Sequence, residues 1–352
     1  MNLLKPLLLL TNNLFSISLA ILGIGFIIGF HELGHFLFGK LFKIKAPSFS
    51  IGFGPKIYKK KIGETVFSVS AIPLGGYVET DKESFESKPY YQKMLVIGGG
   101  ILFNLLFAYF VLCMLFVVGM PKTVPKIESI SKKTEIANLG LKPNDTIMSI
   151  NDQKIEGNLL TFYEKLKEYK GEDIRVGLER GIKTTEINIP KKQLIKALSG
   201  GSVAFKSIQG ERLPFFTAIK KGINLTNEYI IRTLSIFKYI FVKRDISGVG
   251  GPVMIISETI KSASRGIKIF LLFLALISIS LAVINLIPIP ILDGGQALLY
   301  SIEAIIGRKI PDKPKEYILI GSWIFMLVIF VLITGRDIWK IITPYIQKFT
   351  GK

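Results

Sequence analysis

Four apolar segments constrain this chain more than any other feature. They run from about Leu7 to Phe42, Met94 to Met120, Ile267 to Ile291 and Tyr317 to Thr334. Each is near the ~20 residues that a helix needs to cross a bilayer. Of the 352 residues, 49% are hydrophobic and 20% charged, and the mean hydropathy is +0.45. Such a chain is too apolar for an ordinary soluble globule and too charged for a bundle lying wholly in lipid. A polytopic α-helical membrane protein with about four transmembrane helices and a water-exposed domain meets both facts. The first segment has Lys5 ahead of an apolar core, as a signal peptide does. No small-residue cleavage site follows; His31 and Glu32 stand there instead, so the segment is expected to be retained.

The net charge is +19. The lysines are spread along the chain and no nucleic-acid motif accompanies them, so nucleic acid is not an expected partner. Attraction to anionic lipid headgroups, or a generally lysine-rich composition, explains the excess. Cys113 is the only cysteine, which excludes a disulfide within one chain and a cysteine zinc site. Lys43, Lys45, Lys56, Lys59, Lys60 and Lys61 crowd the loop after the first segment, whereas the N-terminal flank offers Lys5 alone. The positive-inside rule then puts the 43–93 loop in the cytoplasm, and the N-terminus and the 121–265 loop outside.

The expected divisions follow. Residues 1–120 form a first membrane half containing the 43–93 loop. There Phe49 to Tyr58 and Glu64 to Val78 alternate apolar and polar residues, punctuated by Gly52-Phe53-Gly54-Pro55 and Pro73-Leu74-Gly75-Gly76-Tyr77. This reads as a membrane-associated β-hairpin. A strand edge there can pair with an extended substrate backbone, or the hairpin touches no substrate at all. Residues 121–195 read as a small α+β domain. In it, Leu141-Lys142-Pro143-Asn144-Asp145-Thr146-Ile147 makes a turn and a strand, Leu159 to Tyr169 a helix, and Ile174 to Ile189 two strands. The pattern resembles a PDZ domain with Asn144 in place of the usual glycine, a residue that tolerates positive φ. Residues 196–265 read as a linker with an amphipathic helix over 214–242, lying in the membrane interface or against the PDZ-like domain. Residues 266–352 form the second membrane half.

Only two histidines exist, His31 and His35, in His31-Glu32-Leu33-Gly34-His35. At i and i+4 they share one helix face and can grip one metal ion, with Glu32 placed to act on a water that the ion holds. Ionisable groups in a membrane helix are costly and usually functional. A catalytic zinc needs a third protein ligand and an open fourth position. With no other histidine, that ligand must be a carboxylate. Asp293 is the acid at membrane depth, in Asn285-Leu286-Ile287-Pro288-Ile289-Pro290-Ile291-Leu292-Asp293-Gly294-Gly295. The prolines break the helix there, which lipid tolerates where the irregular backbone lines a protein cavity. Glu32 would accept the water's proton and deliver it to the leaving amine.

The pair H-E-x-x-H and N-x-x-P-x-P-x-L-D-G resembles the site-2 protease family of intramembrane zinc metalloproteases. The order of elements resembles its bacterial regulator of sigma-E protease group, with a single PDZ domain. The resemblance covers nearly the whole chain. It implies one Zn2+ held by His31, His35 and Asp293, Glu32 as catalytic acid/base, and Asn285 and Pro288 as residues that position the substrate strand. For Asn285 the other reading is a side chain that satisfies the broken helix's backbone. The resemblance also implies a bacterial cytoplasmic (inner) membrane location, with the active site toward the cytoplasm. The substrates it implies are single-pass membrane proteins such as an anti-sigma factor, or remnant signal peptides. The PDZ-like domain is expected to act as an outer size filter or tether. The chain departs from the family in three places. It has room for one clear PDZ copy, with Ser202 to Pro214 as the remnant joint of a lost second one. Gln296 stands where histidine is common, and Ile101 replaces the proline of G-P-x-x-N while Gly100 and Asn104 remain. Ser247 to Val253 resembles a family Ser-Gly-Pro segment and is assigned no chemistry. A catalytically inactive PDZ-bearing scaffold and a metal-ion transporter are the rival readings.

Overall fold

The computed structural model describes residues 4–130, 140–155, 159–199, 203–243 and 250–350. Ser202 and Ser247 to Val249, singled out above, lie outside the described residues. The chain divides into two compact units, Met1–Val117 with Pro214–Lys352, and Val118–Leu213.

The first unit is built on four helices long and apolar enough to cross a membrane: Leu14–Leu41 within α1 (Leu4–Leu41), α3 (Tyr90–Val118), α8 (Ile267–Asn285) and Asp312–Lys340 within α10 (Asp312–Thr350). The chain is thus a multi-pass membrane protein. In lipid, helices associate through close packing, which favours small residues at crossings. α1 and α3 cross at Gly34 and Gly99; a Cβ on Gly99 would lie 2.7 Å from Gly34 O, and one on Gly34 would strike Gly99 O. α8 packs on α1, where Phe270 and Leu274 sit against Gly23. The third helix ends at Asn285, short of the expected Ile291, because Pro288 and Pro290 lack N–H groups and crowd the turns before them. A loop of 286–292 leads to α9 (Asp293–Ile306).

Between α1 and α3 lie β1 (Ser48–Ile62), β2 (Thr65–Glu79) and the short α2 (Lys82–Glu86). The sheet curls. Ser48 to Ile51 is flanked on one side by Val66 to Val69 and on the other by Gly76 to Glu79, which leaves Gly76 to Glu79 as an edge. Gly52 and Gly54, at φ +88° and +85°, let β1 bend where a side chain would be strained.

The segment 214–242 is helical as its spacing predicts. α6 (Phe215–Lys243) lies on α3, with Gly222 against the backbone of Cys113 and the Cys113 thiol donating to Ile219 O at 3.6 Å. A further helix not expected from the sequence, α7 (Pro252–Ser264), begins with proline at a position where no N–H is missed. It has no side-chain cap of its own. The buried Asp337 carboxylate of α10 accepts from Met254 N at 3.1 Å instead.

The second unit is an antiparallel sheet in the order β7 (Lys183–Pro190), β6 (Asp173–Arg180), β4 (Thr146–Ile150), β3 (Pro121–Ile130), β8 (Val203–Gln209). β5 (Gln153–Lys154) pairs with β4. α4 (Leu159–Glu168) and α5 (Lys191–Ser199) supply Phe162, Leu166 and Leu194 to a core that also holds Ile174, Leu178 and Ile189. Asn144 takes φ +72°, the positive value its place in the turn demands. Residues 203–209 are a strand of this sheet, so the unit reaches Leu213 and takes in most of the stretch expected to be a joint.

Candidate metal centre

α1 presents His31 and His35 on one face, one turn apart, and their Nε2 atoms lie 3.2 Å from each other. The Asp293 Oδ2 lies 3.3 Å from His31 Nε2 and 3.6 Å from His35 Nε2. That oxygen is buried and makes no hydrogen bond. Donors about 2.0–2.1 Å from one tetrahedral ion are about 3.4 Å apart, so these three atoms have the spacing of a zinc site. Among the described residues, this is the group of His, Cys, Asp and Glu placed to hold a metal ion. His35 Nδ1 lies 2.8 Å from Val96 O, and because a carbonyl only accepts, Nδ1 is the donor there and Nε2 is the ring nitrogen that faces Asp293. The Asn104 side-chain amide lies 3.0 Å from His31 Nδ1.

Gly100 of α3 is what leaves room. A Cβ there would lie 2.7 Å from His31 Nε2 and closer still to His35 Nε2. The space in front of both imidazoles exists only because this position has no side chain. Asp293 is brought in by the loop and by two more glycines. Cβ atoms on Gly294 and Gly295 would strike Leu286 O and Ile289 O, so only glycine lets α9 begin hard against the loop. Gln296, one turn on, closes the loop by donating to Pro290 O at 2.7 Å. Its amide thus makes a backbone contact at the position where histidine was the family expectation.

Glu32 faces the same space. Its Oε2 accepts from Val78 N at 3.1 Å, and a Cβ on Gly76 would lie 3.2 Å from its Cγ. The hairpin therefore touches the carboxylate through the Gly76 to Glu79 edge. His31, Glu32, His35, Asn285, Asp293 and Gln296 line one cavity of about 770 Å³. Asn285 is buried at the end of α8. Pro288 is exposed in the 286–292 loop, outside the cavity lining.

Sequence reasoning missed a charged cluster on the cavity's far wall. Glu86 of α2 accepts from Lys93 Nζ at 2.9 Å and from Tyr300 Oη at 2.7 Å. Lys315 Nζ lies 3.3 Å from Glu303 and 4.1 Å from the centroid of the Tyr300 ring. Burial pushes the Glu86 carboxyl up, but hydrogen bonds from Lys93 and Tyr300 and the lysine charge overcome it and hold it at about 2. The cluster joins α2, α3, α9 and α10, and Tyr300 lies two turns beyond Asp293 on α9. Lys93 at the head of an apolar segment was the available signal, since a buried lysine requires a partner.

The profile of peptidase family M50 matches residues 19–329. A protein of Campylobacter jejuni named as a zinc metalloprotease is 30% identical over 92% of this chain and 93% of its own length. A Clostridium acetobutylicum protein so named is 30% identical over 92% of this chain and 97% of its own. The regulator of sigma-W protease of Bacillus subtilis is 25% identical over 90% of this chain and 96% of its own.

Proposed function

The chain belongs to peptidase family M50, whose members are zinc metalloproteases, and from that premise we propose that it cuts membrane-spanning substrates within or near the bilayer. His31, His35 and Asp293 hold the zinc, and Glu32 is the catalytic acid/base. Zinc, when bound, supplies Lewis acidity, making a water nucleophilic near neutral pH and drawing charge from the scissile carbonyl. Glu32 takes the proton of the attacking water and passes it to the leaving nitrogen as the C–N bond breaks. The Val78 N–H steadies the Glu32 carboxylate for that transfer.

A transmembrane substrate has its peptide bonds paired within its own helix, so it must unwind to be cut. The Gly76 to Glu79 edge would pair with the extended segment. Asn285 would hold the segment's backbone, and Pro288 would keep the loop beside it open. The PDZ-like unit acts outside the membrane as a size filter or tether. The lysine-rich 43–61 stretch orients the site toward the cytoplasm of a bacterial cell. The name of the Bacillus subtilis relative supports a membrane-bound regulator such as an anti-sigma factor as substrate, and remnant signal peptides fit the same chemistry.

The observation that carries this reading is the convergence of two Nε2 atoms and one Oδ2, 3.2–3.6 Å apart, beside a carboxylate. Glu32→Gln should abolish proteolysis and leave one zinc per chain. Membrane proteomics of cells with wild-type or Glu32→Gln protein should then show single-pass fragments that accumulate only with the variant. Identical fragment profiles would refute the assignment. Zinc flux into liposomes without peptidase activity would favour a transporter instead.

A further inference from the structure

His31 and His35 sit one turn apart on α1, so the helix itself fixes their spacing. Asp293 has no such tie to them. It stands in the first turn of α9, after the irregular loop 286–292, yet its Oδ2 arrives 3.3 Å and 3.6 Å from the two Nε2 atoms. Asp293, Gln296, Tyr300 and Glu303 share one face of α9. Gln296 bonds to Pro290 O, which belongs to the loop that leads into the helix. Tyr300 reaches other elements. It is buried, its Oη donates to Glu86 Oε1 at 2.7 Å, and Lys93 Nζ and Lys315 Nζ lie 4.8 Å and 4.1 Å from its ring centroid. The other Glu86 oxygen accepts from Lys93 Nζ of α3 at 2.9 Å. Three residues further along α3, Val96 O lies 2.8 Å from His35 Nδ1. One carboxylate on α2 thus takes the helix that brings Asp293 with one oxygen and the helix that meets His35 with the other.

We propose that Tyr300 and Glu86 are positioning residues that set how far Asp293 stands from the two imidazoles. This rests on the reading of His31, His35 and Asp293 as zinc ligands. Tyr300 lies two turns beyond Asp293, about 10 Å along the axis, so a tilt of about 5° there moves Asp293 by about 1 Å. Metal–ligand distances hold to within about 0.2 Å, so a far smaller tilt already matters. The Tyr300 hydroxyl suits the task because its bond runs to a carboxylate, the stronger kind of hydrogen bond. Ser301 offers a comparison on the same helix. Its Oγ lies 2.9 Å from Tyr90 Oη of α3, but that pair is exposed and water can take either place.

Tyr300→Phe tests this. It keeps the ring between its two lysines, loses only the hydroxyl, and leaves Glu86 beside Lys93, Lys309 and Lys315. In the full-length protein in detergent, zinc affinity by chelator competition should weaken by about tenfold, the lower end of what losing an outer partner costs a metal site. The visible spectrum of the cobalt(II)-loaded protein, which reads the geometry of the ligands, should shift. Ser301→Ala should match wild type in both measurements. Wild-type affinity and an unshifted cobalt spectrum in Tyr300→Phe, with only a lower melting temperature, would mark a merely structural role and overturn the proposal. Equal losses in Tyr300→Phe and Ser301→Ala would do the same, because any loosening of α9 would then serve. Asp293→Ala separates the two ideas. If it leaves zinc binding intact, the ligand assignment itself falls. If it abolishes binding while Tyr300→Phe matches wild type, only the positioning role falls.

Discussion

Gly100 shows how much one missing side chain can decide. Its Cα faces both imidazoles, and any Cβ would press on His31 and His35 at once. Gly100→Ala should therefore fold, since alanine suits a helix, yet lose bound zinc and activity together. Metal analysis of the purified variant checks this, and full zinc with full activity would refute it. Glu86 acts by charge rather than space. Glu86→Gln leaves Lys93 buried beside a neutral group and should destabilise the protein by about 3 kcal/mol at neutral pH. The carboxyl holds its proton less tightly when folded than when unfolded, so its contribution is complete above about pH 4.5. That contribution drains away as pH falls toward 2. The stability gap between wild type and Glu86→Gln, followed by thermal unfolding, should close over that window. A constant gap would show that the charge is not what matters. In the second unit the buried Asp145 accepts twice from Arg180, at 2.8 Å each. Burial pushes this carboxyl up, and the Arg180 bonds bring it below the usual range.

At the scale of elements, the hairpin and the broken helix do opposite jobs. The loop between α8 and α9 sacrifices regular hydrogen bonding to deliver Asp293, and its prolines and glycines made that break legible in the sequence. The hairpin keeps its ladder and offers a backbone N–H to Glu32, which no side-chain pattern announces. Val78→Pro deletes that donor on an edge where proline is tolerated. A hydrogen bond to a charged group contributes about 1.5–3 kcal/mol, so kcat should fall by about tenfold or more. Zinc affinity should stay at the wild-type value. A simultaneous loss of zinc would mean that the hairpin supports the metal site rather than the carboxylate. α7 teaches the same lesson about tertiary partners, for its cap comes from Asp337, far away in the chain.

At the scale of the molecule, the chain enters and leaves the second unit side by side. Gly210 N donates to Met120 O at 2.9 Å, so a short linker can replace 121–209. If the unit is a size filter, its excision should leave zinc binding and cleavage of short single-pass substrates unchanged. Cleavage of substrates with bulky outer domains should rise. Relative rates on trimmed and untrimmed versions of one substrate measure this, and unchanged discrimination would remove the filter role. α10 is apolar and exposed at Ile320, Trp323, Phe325, Phe330 and Val331, as a helix lying in lipid requires.

Hydropathy, spacing and the rarity of histidine were local properties, and they were enough. They marked four spans, two histidines on one face of the first, a break before Asp293 and strands in the 43–93 loop. Local rules work here because lipid demands long apolar helices and because two imidazoles one turn apart need no long-range information to face the same way. The rest required parts of the chain far apart in sequence to meet. Val96 O beside His35, Asn104 beside His31, Val78 N at Glu32 and Glu86 under Tyr300 are contacts between separate elements. Two of the four use backbone atoms, which every residue carries alike. Only the packing of α1 against α3 and against the β2 edge decides which backbone group reaches the site, because a helix's rotation and depth are set by the glycines and side chains it meets.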